Sequence, residues 1–287
     1  MGNDGGDARG WGVFGLTGLV GQSLRVQLRP DDPLAWAVTR QPPADASALP
    51  WITGSLPALA DPPPVQAIAS LGPLDAFTDW FDGSSLAPQR LVVLGSTSRH
   101  GKADSPDPEE RALARRLADC EARLSACCAS RGSALTLLRP TLIWGHGRDQ
   151  NLSRWVALAR RRRWLPLPAT ARGLRQPIHA DEVAAAVLAA LRARVPVSGA
   201  FDLPGAETLP YDDMVLRSLQ AGAPASRLLR LPAPVFRALL RLAGRRGPGP
   251  GLVSRLGRDL TYDGAPVRAA LGLAQKPFRP RPEDFPA

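Results

Sequence analysis

Residues 11–21 read Trp11-Gly12-Val13-Phe14-Gly15-Leu16-Thr17-Gly18-Leu19-Val20-Gly21 and contain a Gly-x-x-Gly-x-x-Gly pattern that begins at Gly15. The apolar run before this pattern predicts a short strand, and apolar residues at helical spacing over 19–29 predict a helix. Such a glycine pattern is informative only between a strand and a helix, which is its context here. The stretch therefore predicts a strand, a tight turn and a helix in direct succession.

This turn is typical of sites that hold the pyrophosphate of a dinucleotide. Gly15 allows a backbone angle that a side chain would hinder. Gly18 lets the pyrophosphate approach the chain, and Gly21 lets the helix pack close to the strand. The amino end of the helix presents free N–H groups and a positive dipole to the phosphates. We assign cofactor binding to the turn residues Gly15, Thr17, Gly18, Leu19, Val20 and Gly21; the alternative is a tight turn without a ligand.

The end of the second predicted strand, Ala35 to Thr39, indicates which dinucleotide is bound. NAD-binding sites usually place an acidic residue there to hold the ribose 2′-hydroxyl. This strand is followed instead by Arg40, and the next acidic residue is Asp45. The planar guanidinium of Arg40 suits a 2′-phosphate, which favours NADP(H) over NAD(H). The alternative is a solvated arginine at a strand end.

The rest of the chain alternates strands and helices, which predicts a Rossmann-type, doubly wound parallel α/β sheet. We expect a flexible tail over 1–10 and an NAD(P)-binding Rossmann domain over 11–287. A small C-terminal substrate lobe comes mainly from about 145–175 and 203–287. The remaining predicted elements are strands at 51–53, 65–70, 90–95 and 135–138 and helices at 107–131, 151–163 and 180–194.

The composition narrows the class of protein. The 287 residues are 44% apolar, enough for a full core, and carry a net charge of +10. Arginine supplies nearly all of the positive charge, because Lys102 and Lys276 are the only lysines. Part of this charge therefore reflects a GC-rich coding bias. We expect a small-molecule substrate that carries a phosphate, and no nucleic-acid partner, because no nucleic-acid-binding motif accompanies the charge.

Other features of the sequence concern location and metals. The first ten residues lack the apolar segment of a signal peptide, and no run of 18 apolar residues predicts a transmembrane helix. The spacing of Cys120, Cys127 and Cys128 fits neither a disulfide framework nor a zinc site. A cytoplasmic protein with reduced cysteines and no bound metal is expected. The basic, amphipathic stretch 231–246 predicts a helix that covers the lobe or, alternatively, lies on a membrane surface.

Several further segments resemble one family of enzymes in order and spacing. These segments are Leu91–Ser98, Leu138–Gly145, Arg175–Asp181, Gly199–Leu203 and Leu271–Phe278. Together with the glycine turn, they resemble the extended and atypical short-chain dehydrogenase/reductase superfamily, in its NAD-dependent epimerase/dehydratase branch. The resemblance implies a Rossmann sheet with a C-terminal substrate lobe, and substrates such as nucleotide-sugars or small carbonyl compounds.

The resemblance also implies roles for particular residues. Thr97, with Ser98 second, corresponds to the hydroxyl groups that polarise the substrate oxygen. Arg175 corresponds to an arginine that contacts a substrate phosphate, and Arg172 lies nearby in sequence. We further assign Ala69, Ser70 and Pro140 to the cofactor site.

The catalytic Tyr-x-x-x-Lys pair of this family is absent. The only tyrosines are Tyr211 and Tyr262, and neither is followed four residues later by a lysine. Alignment of Glu121 with the glutamate that usually follows the pair puts Leu113 and Leu117 at the two catalytic positions. Two explanations remain open: the acid–base role has moved, or the chain is not an oxidoreductase of the usual kind.

His100 and Lys102 are the candidates for a moved acid–base role, because histidine titrates near neutrality and a lysine beside a cofactor can have a lowered pKa. The alternative is an ordinary surface loop. His179, ahead of an acidic helix start, is interpreted as structural. The sequence thus predicts an NADP(H)-dependent oxidoreductase or epimerase acting on a carbonyl or nucleotide-sugar-like substrate; the alternative is a non-catalytic dinucleotide-binding sensor or assembly subunit.

Overall fold

The computed structural model describes residues 9–43, 49–242, 255–274 and 276–286. Two predicted segments therefore lie partly outside the described residues, namely residues 1–8 of the tail and residues 243–246 of the basic amphipathic stretch. The strands are β1 (Trp11–Phe14), β2 (Leu34–Thr39), β3 (Trp51–Thr53), β4 (Ala67–Ser70), β5 (Arg90–Leu94), β6 (Ala134–Pro140), β7 (Ile143–Trp144), β8 (Trp164–Pro168), β9 (Leu174–Arg175), β10 (Ile178–His179), β11 (Gly199–Leu203), β12 (Leu209–Pro210) and β13 (Arg227–Leu231). The helices are α1 (Leu19–Gln27), α2 (Leu74–Gly83), α3 (Ser98–Gly101), α4 (Pro108–Arg131), α5 (Leu152–Arg162), α6 (Ala180–Arg192), α7 (Tyr211–Gly222), α8 (Ala233–Leu242) and α9 (Ala265–Leu271).

Seven parallel strands of the described residues form the central sheet, in the order β11-β6-β5-β4-β1-β2-β3. All of the pairings in this sheet are parallel. The winding direction reverses at β1, which pairs with β2 on one side and β4 on the other. Ligands of such sheets bind outside the carboxyl ends of the strands at this reversal. The doubly wound Rossmann-type sheet predicted from the sequence is therefore confirmed.

Both faces of the sheet are covered by helices. Neighbouring strand residues point to opposite faces, so each face contributes its own set of side chains to a core. On one face, α1 and α6 pack together over a core that includes Val13 and Val187. On the other face, α2 and α4 cover an aromatic core that includes Phe14, Phe77 and Trp80. The central residues of β5 are fully buried, as their unbroken apolar run predicts.

A third core lies in the C-terminal part of the chain. It includes Trp144, Val156, Met214 and Phe285. Two-stranded pairings of β7 with β10, β8 with β13 and β9 with β12 surround it. This part of the chain lies beside the carboxyl ends of β5 and β6, where it contributes one wall of a cleft.

The cysteines lie on α4, as the sequence predicts. Cys120 and Cys128 are buried and Cys127 is partly buried, and all three are free. Cys120 and Cys128 belong to the aromatic core, and Cys127 packs against it. Among the helices of the described residues, none has the length and apolar character needed to cross a bilayer.

Candidate functional site

The glycine turn has the backbone geometry that its sequence requires. Gly15 ends β1 with φ of +84°, in the region that disfavours other residues. The N–H of Gly18 donates to the carbonyl oxygen of Gly15 at 3.0 Å. A Cβ added at Gly21 would lie 2.3 Å from that same oxygen, so α1 packs directly against the turn. The conformational roles predicted for Gly15 and Gly21 are present in the structure.

The amino end of α1 is suited to a phosphate. Gly18 is its N-cap residue, and no side chain accepts a hydrogen bond from the first turn of the helix. The first N–H groups of a helix have no partner within the helix, and the helix dipole favours an anion at this end. A Cβ at Gly18 would meet only the Gly15 oxygen within 4 Å, which leaves room for a ligand to approach. The residues present therefore fit a dinucleotide pyrophosphate.

Two cavities meet in front of this turn. The turn cavity, of about 450 Å³, is lined by Leu19, Val20 and Pro140 among others. The lobe cavity, of about 610 Å³, lies between the sheet and the C-terminal elements. Both cavities are lined by Leu19, Ser96 and Ile143. They form one cleft along the carboxyl ends of β1, β4, β5 and β6.

The other predicted cofactor residues take different positions. Ala69 and Ser70 are fully buried in β4, next to the strand that carries the turn. The hydroxyl of Ser70 has no hydrogen-bond partner among the described residues. Arg40 is exposed just beyond the end of β2.

The positions that align with the missing Tyr and Lys face the cleft. Leu113 and Leu117 both line the turn cavity, one helical turn apart on α4. Arg116 lines it as well. In the family that the sequence resembles, this wall carries the acid–base pair. In this chain the wall is largely apolar, and no tyrosine or lysine lines the turn cavity within the described residues.

The hydroxyl groups of Ser96, Thr97 and Ser98, which follow β5, have different surroundings. The hydroxyl of Thr97 is buried and donates to the carbonyl oxygen of Pro140 at 3.2 Å. Ser96 is partly exposed and lines both cavities, and its Oγ accepts the N–H of Ser98 at 3.1 Å. Ser98 lines the lobe cavity. Ser96 is therefore the hydroxyl that lies where the two cavities meet, and sequence reasoning missed it although it begins the same cluster.

Of the two candidates for a moved acid–base role, the cleft contains one. Lys102 lines the lobe cavity, with Nζ 4.0 Å from Glu110 Oε1. Burial, with a smaller contribution from the charge of Arg255, lowers the pKa of Lys102. His100 lies outside both cavities; its Nε2 is 3.5 Å from Asp202 Oδ1. The structure therefore brings Lys102, and not His100, to the cleft.

Tyr262 is a cleft residue that sequence reasoning missed. Its hydroxyl donates to the backbone oxygen of Thr97 at 3.3 Å, and it lines the lobe cavity. Burial raises the pKa of the phenol, so it stays protonated at neutral pH. The position lies 165 residues from Thr97 in the chain, and no local motif marks it, so only the tertiary structure reveals the contact.

Arg175 is a buried charge in the wall of the lobe cavity. Its guanidinium donates to the backbone oxygens of Leu174 and Arg258, both at 2.7 Å, and lies 5.4 Å from the ring centre of Tyr211. Burial lowers the pKa of Arg175. Arg172 is mostly exposed and lies 3.9 Å from Asp212, outside the cavity lining. Arg172, which is near Arg175 in sequence, therefore does not join it in the wall of the cavity.

Comparison with known proteins supports the fold. No family model matches this chain, and no curated protein is similar to it in sequence. Solved structures are similar in shape. MoeE5 in complex with UDP-glucuronic acid and NAD is 19% identical, with a TM-score of 0.70 over 93% of this chain and 94% of that one.

Two further structures agree. TunA, described as an NAD-dependent NDP-hexosamine 5,6-dehydratase involved in tunicamycin biosynthesis, is 18% identical, with a TM-score of 0.68 over 96% of this chain and 94% of its own. UDP-N-acetylglucosamine 4-epimerase from Bacillus cereus is 16% identical, with a TM-score of 0.62 over 93% and 94% of the two chains. This chain therefore has the fold of the NAD-dependent epimerases and dehydratases, as its sequence motifs predict.

Proposed function

We propose that this chain is an NAD(P)-dependent oxidoreductase or epimerase that acts on a carbonyl or nucleotide-sugar-like substrate. The observation that carries the proposal is the continuous cleft, which runs from the glycine turn through Ser96 into the lobe cavity. Proteins of the same fold bind NAD together with UDP-sugars, as MoeE5 does. A nicotinamide dinucleotide supplies a donor or acceptor of hydride when bound.

The residues of the cleft have separate tasks in this proposal. The turn and the amino end of α1 bind the pyrophosphate, and Arg40 holds a ribose 2′-phosphate, which makes NADP(H) the preferred cofactor. Leu113 and Leu117 exclude water from the turn cavity. Ser96, with Ser98 and Thr97 behind it, orients the substrate oxygen.

Proton movement falls to two side chains that line the lobe cavity. Tyr262, kept protonated by burial, donates a proton to the substrate oxygen. Lys102, with its pKa lowered by burial, is the second side chain of this cavity that can exchange a proton. Arg175 is held in place by backbone oxygens and attracts an anionic part of the substrate as a fixed charge, because a buried charge is poorly screened.

Isothermal titration with NADPH, NADP⁺, NADH and NAD⁺ tests the cofactor site. We expect micromolar binding of the NADP forms, weakened about tenfold or more in Arg40→Ala, which corresponds to the loss of a charge-assisted pair. Arg194→Ala is the matched control, because Arg194 is exposed just beyond α6 and its neighbour Ala193 contacts Arg90 at the amino end of β5, away from the carboxyl ends that form the cleft. Equal weakening by both variants would contradict the role of Arg40, and absence of binding by all four nucleotides would contradict the proposal.

Turnover tests the catalytic assignments. The native chain is first screened for turnover of nucleotide-sugars and small carbonyl compounds. The variants Ser96→Ala, Thr97→Ala and Tyr262→Phe are then assayed with any substrate that the screen identifies. We expect Ser96→Ala and Tyr262→Phe to lower kcat by about a hundredfold or more and to leave cofactor affinity unchanged. His100→Ala, outside the cleft, should retain full activity. Unchanged turnover in Tyr262→Phe would remove Tyr262 from the mechanism.

One observation favours a second function, a non-catalytic dinucleotide-binding sensor or assembly subunit. Among the described residues, the wall at Leu113 and Leu117 carries neither a tyrosine nor a lysine. A sensor would bind the oxidised and reduced nucleotides with different affinities and turn over no substrate in the screen. Binding together with turnover supports the enzyme, whereas tight, redox-selective binding without turnover supports the sensor.

A further inference from the structure

A second cluster of polar side chains lies at the rim of another cavity. This flank cavity, of about 930 Å³, is lined in part by Ser23 of α1, His146 and Asp181 of α6. Among the described residues, it shares no lining residue with the turn cavity or the lobe cavity. His179 lies directly behind it, so the cluster contains two of the three histidines of the chain.

The donor atoms of this cluster converge. His146 Nε2 lies 3.0 Å from Asp181 Oδ1, and His179 Nδ1 lies 3.3 Å from Asp181 Oδ2. One donor atom from each of the three residues lies within 4.8 Å of the other two. Ligands about 2.05 Å from a tetrahedral metal ion are separated by about 3.3 Å. Both separations are close to this value; they end on different oxygens of Asp181, and one donor atom of Asp181 lies within 4.8 Å of a nitrogen of each histidine.

The surroundings hold these ligands in place. His146 has φ of +56°, a left-handed conformation that is uncommon for histidine and is typical of functional positions. Gly145 leaves room for the neighbouring ring, because a Cβ there would lie 2.3 Å from His179 Nε2. That nitrogen lies 3.3 Å from Asp284 Oδ1. A carboxylate on the second nitrogen of a ligating histidine is the usual outer partner in zinc sites.

We propose that His146, His179 and Asp181 form a binding site for Zn²⁺, with Asp284 as the outer partner of His179. Two imidazole nitrogens and one carboxylate suit zinc, and three protein ligands leave one position open to water or a small ligand. The flank cavity adjoins that position. Ser23 Oγ, 3.0 Å from His146 Nε2, also faces it.

A structural role competes with this site. His179 Nδ1 accepts the backbone N–H of Asp181 at 3.2 Å and so caps α6. A bound ion would take the same lone pair. The experiment therefore has to measure metal binding directly and cannot rely on stability alone.

The test is a calorimetric titration of the untagged, metal-free protein with Zn²⁺. We expect one ion per chain for the native protein and for His100→Asn, and binding weaker by about tenfold or more in His146→Asn and in Asp284→Asn. Asparagine tolerates the left-handed backbone of residue 146, and His100→Asn is the same change at the third histidine. Mg²⁺, which prefers oxygen ligands, should not compete.

Co²⁺ spectroscopy separates this site from the cysteines of α4. Visible bands without a sulfur charge-transfer band are expected, and they should disappear in His146→Asn. No stoichiometric Zn²⁺ binding, equal affinity in His146→Asn, or a sulfur band would overturn the proposal and leave His179 as a helix cap. None of these outcomes bears on the proposed cofactor site, because the two sites share no residue.

Discussion

Single glycines of the turn differ in what a side chain would cost. At Gly21 an added Cβ would lie within 2.5 Å of backbone atoms of Gly15 and Leu16, which cannot move without displacing α1. We expect Gly21→Ala to lower the free energy of unfolding by about 1–3 kcal/mol and to abolish cofactor binding. Urea denaturation measures the first effect and calorimetry the second.

Gly18→Ala is the informative partner of that change. Its Cβ would lie 3.2 Å from one backbone oxygen, and its φ of −75° suits any residue. We expect nearly native stability with weakened dinucleotide binding, because the methyl group occupies the approach of the pyrophosphate. If Gly18→Ala and Gly21→Ala had the same stability, the steric account of the turn would be wrong.

A buried ion pair gives a second test at the scale of residues. Arg139 of β6 donates to both carboxylate oxygens of Glu121, at 3.0 and 2.7 Å. Burial alone would lower the pKa of Arg139, but the hydrogen bonds and charge of Glu121 raise it. Arg139→Met leaves the buried carboxylate of Glu121 with Arg99 as its remaining cationic partner, 3.1 Å away, and should cost about 3 kcal/mol of stability.

The double variant Arg139→Met with Glu121→Leu should recover part of that loss, because the buried carboxylate is removed. The recovery is incomplete because Arg99, 3.1 Å from Glu121, loses its partner as well. Denaturant unfolding of both single variants and the double variant measures the coupling. Additive losses would show that Glu121 and Arg139 act independently.

Residue chemistry was predictable from the sequence where the chain itself brings the groups together. Gly15, Gly18 and Gly21 lie within one turn, so their spacing predicts their geometry. Tyr262 joins Thr97 only through the packing of the C-terminal part on the sheet, and nothing in its own neighbourhood indicates this. The cluster of His146, His179 and Asp181 was not predicted for the same reason, since His146 and His179 lie 33 positions apart in the chain.

Whole elements were predicted where their periodicity was long. The helix expected at 107–131 is α4, with Asp107 capping its first turn and Gly132 ending it at φ of +69°. In contrast, α2 was not predicted, although Leu74, Phe77 and Phe81 repeat at helical spacing and are buried. Ten residues rich in aromatic side chains between Pro73 and Ser84 are ambiguous by pattern alone, and packing on α4 resolves the ambiguity.

The buried face of α4 gives a prediction about alkaline pH. Burial raises the pKa of Cys128 to about 12, above the value of about 8.5 for an unfolded thiol. The resulting stability is fully present below about pH 8.5 and is lost as the pH rises toward the folded value, by up to about 1.4 kcal/mol per pH unit.

Thermal or urea unfolding between pH 7 and pH 10 should therefore show a steeper loss of stability for the native chain than for Cys128→Ala. The alanine variant starts from a lower stability because it removes a buried group. Parallel pH profiles for the two proteins would contradict the shift of the thiol pKa.

At the scale of the whole molecule, an aromatic side chain near the end of the sequence packs into the core of the C-terminal part. Phe285 is 2% exposed, and a Cβ at Gly222 of α7 would lie 2.9 Å from it. Phe285→Ala should cost about 3–5 kcal/mol and lower the melting temperature by roughly 6–15 °C. Leu229→Ala, at a side chain 40% exposed, is the control and should change little.

Hydrogen exchange locates that effect. The amides of α5 and α7 should lose protection in Phe285→Ala, while those of β1, β4 and β5 keep theirs, because the third core is separate from the two cores of the sheet. Uniform loss of protection would show that the sheet and the C-terminal part unfold as one cooperative unit.

The order of the strands has a consequence for synthesis on the ribosome. From β1 outward, β4, β5, β6 and β11 lie side by side in the order in which they are translated. Each newly made strand of this series thus finds an open edge of the growing sheet, and none has to enter between two paired neighbours. The nascent chain can extend its sheet stepwise during translation, which shortens the time that unpaired strand edges are available to other chains.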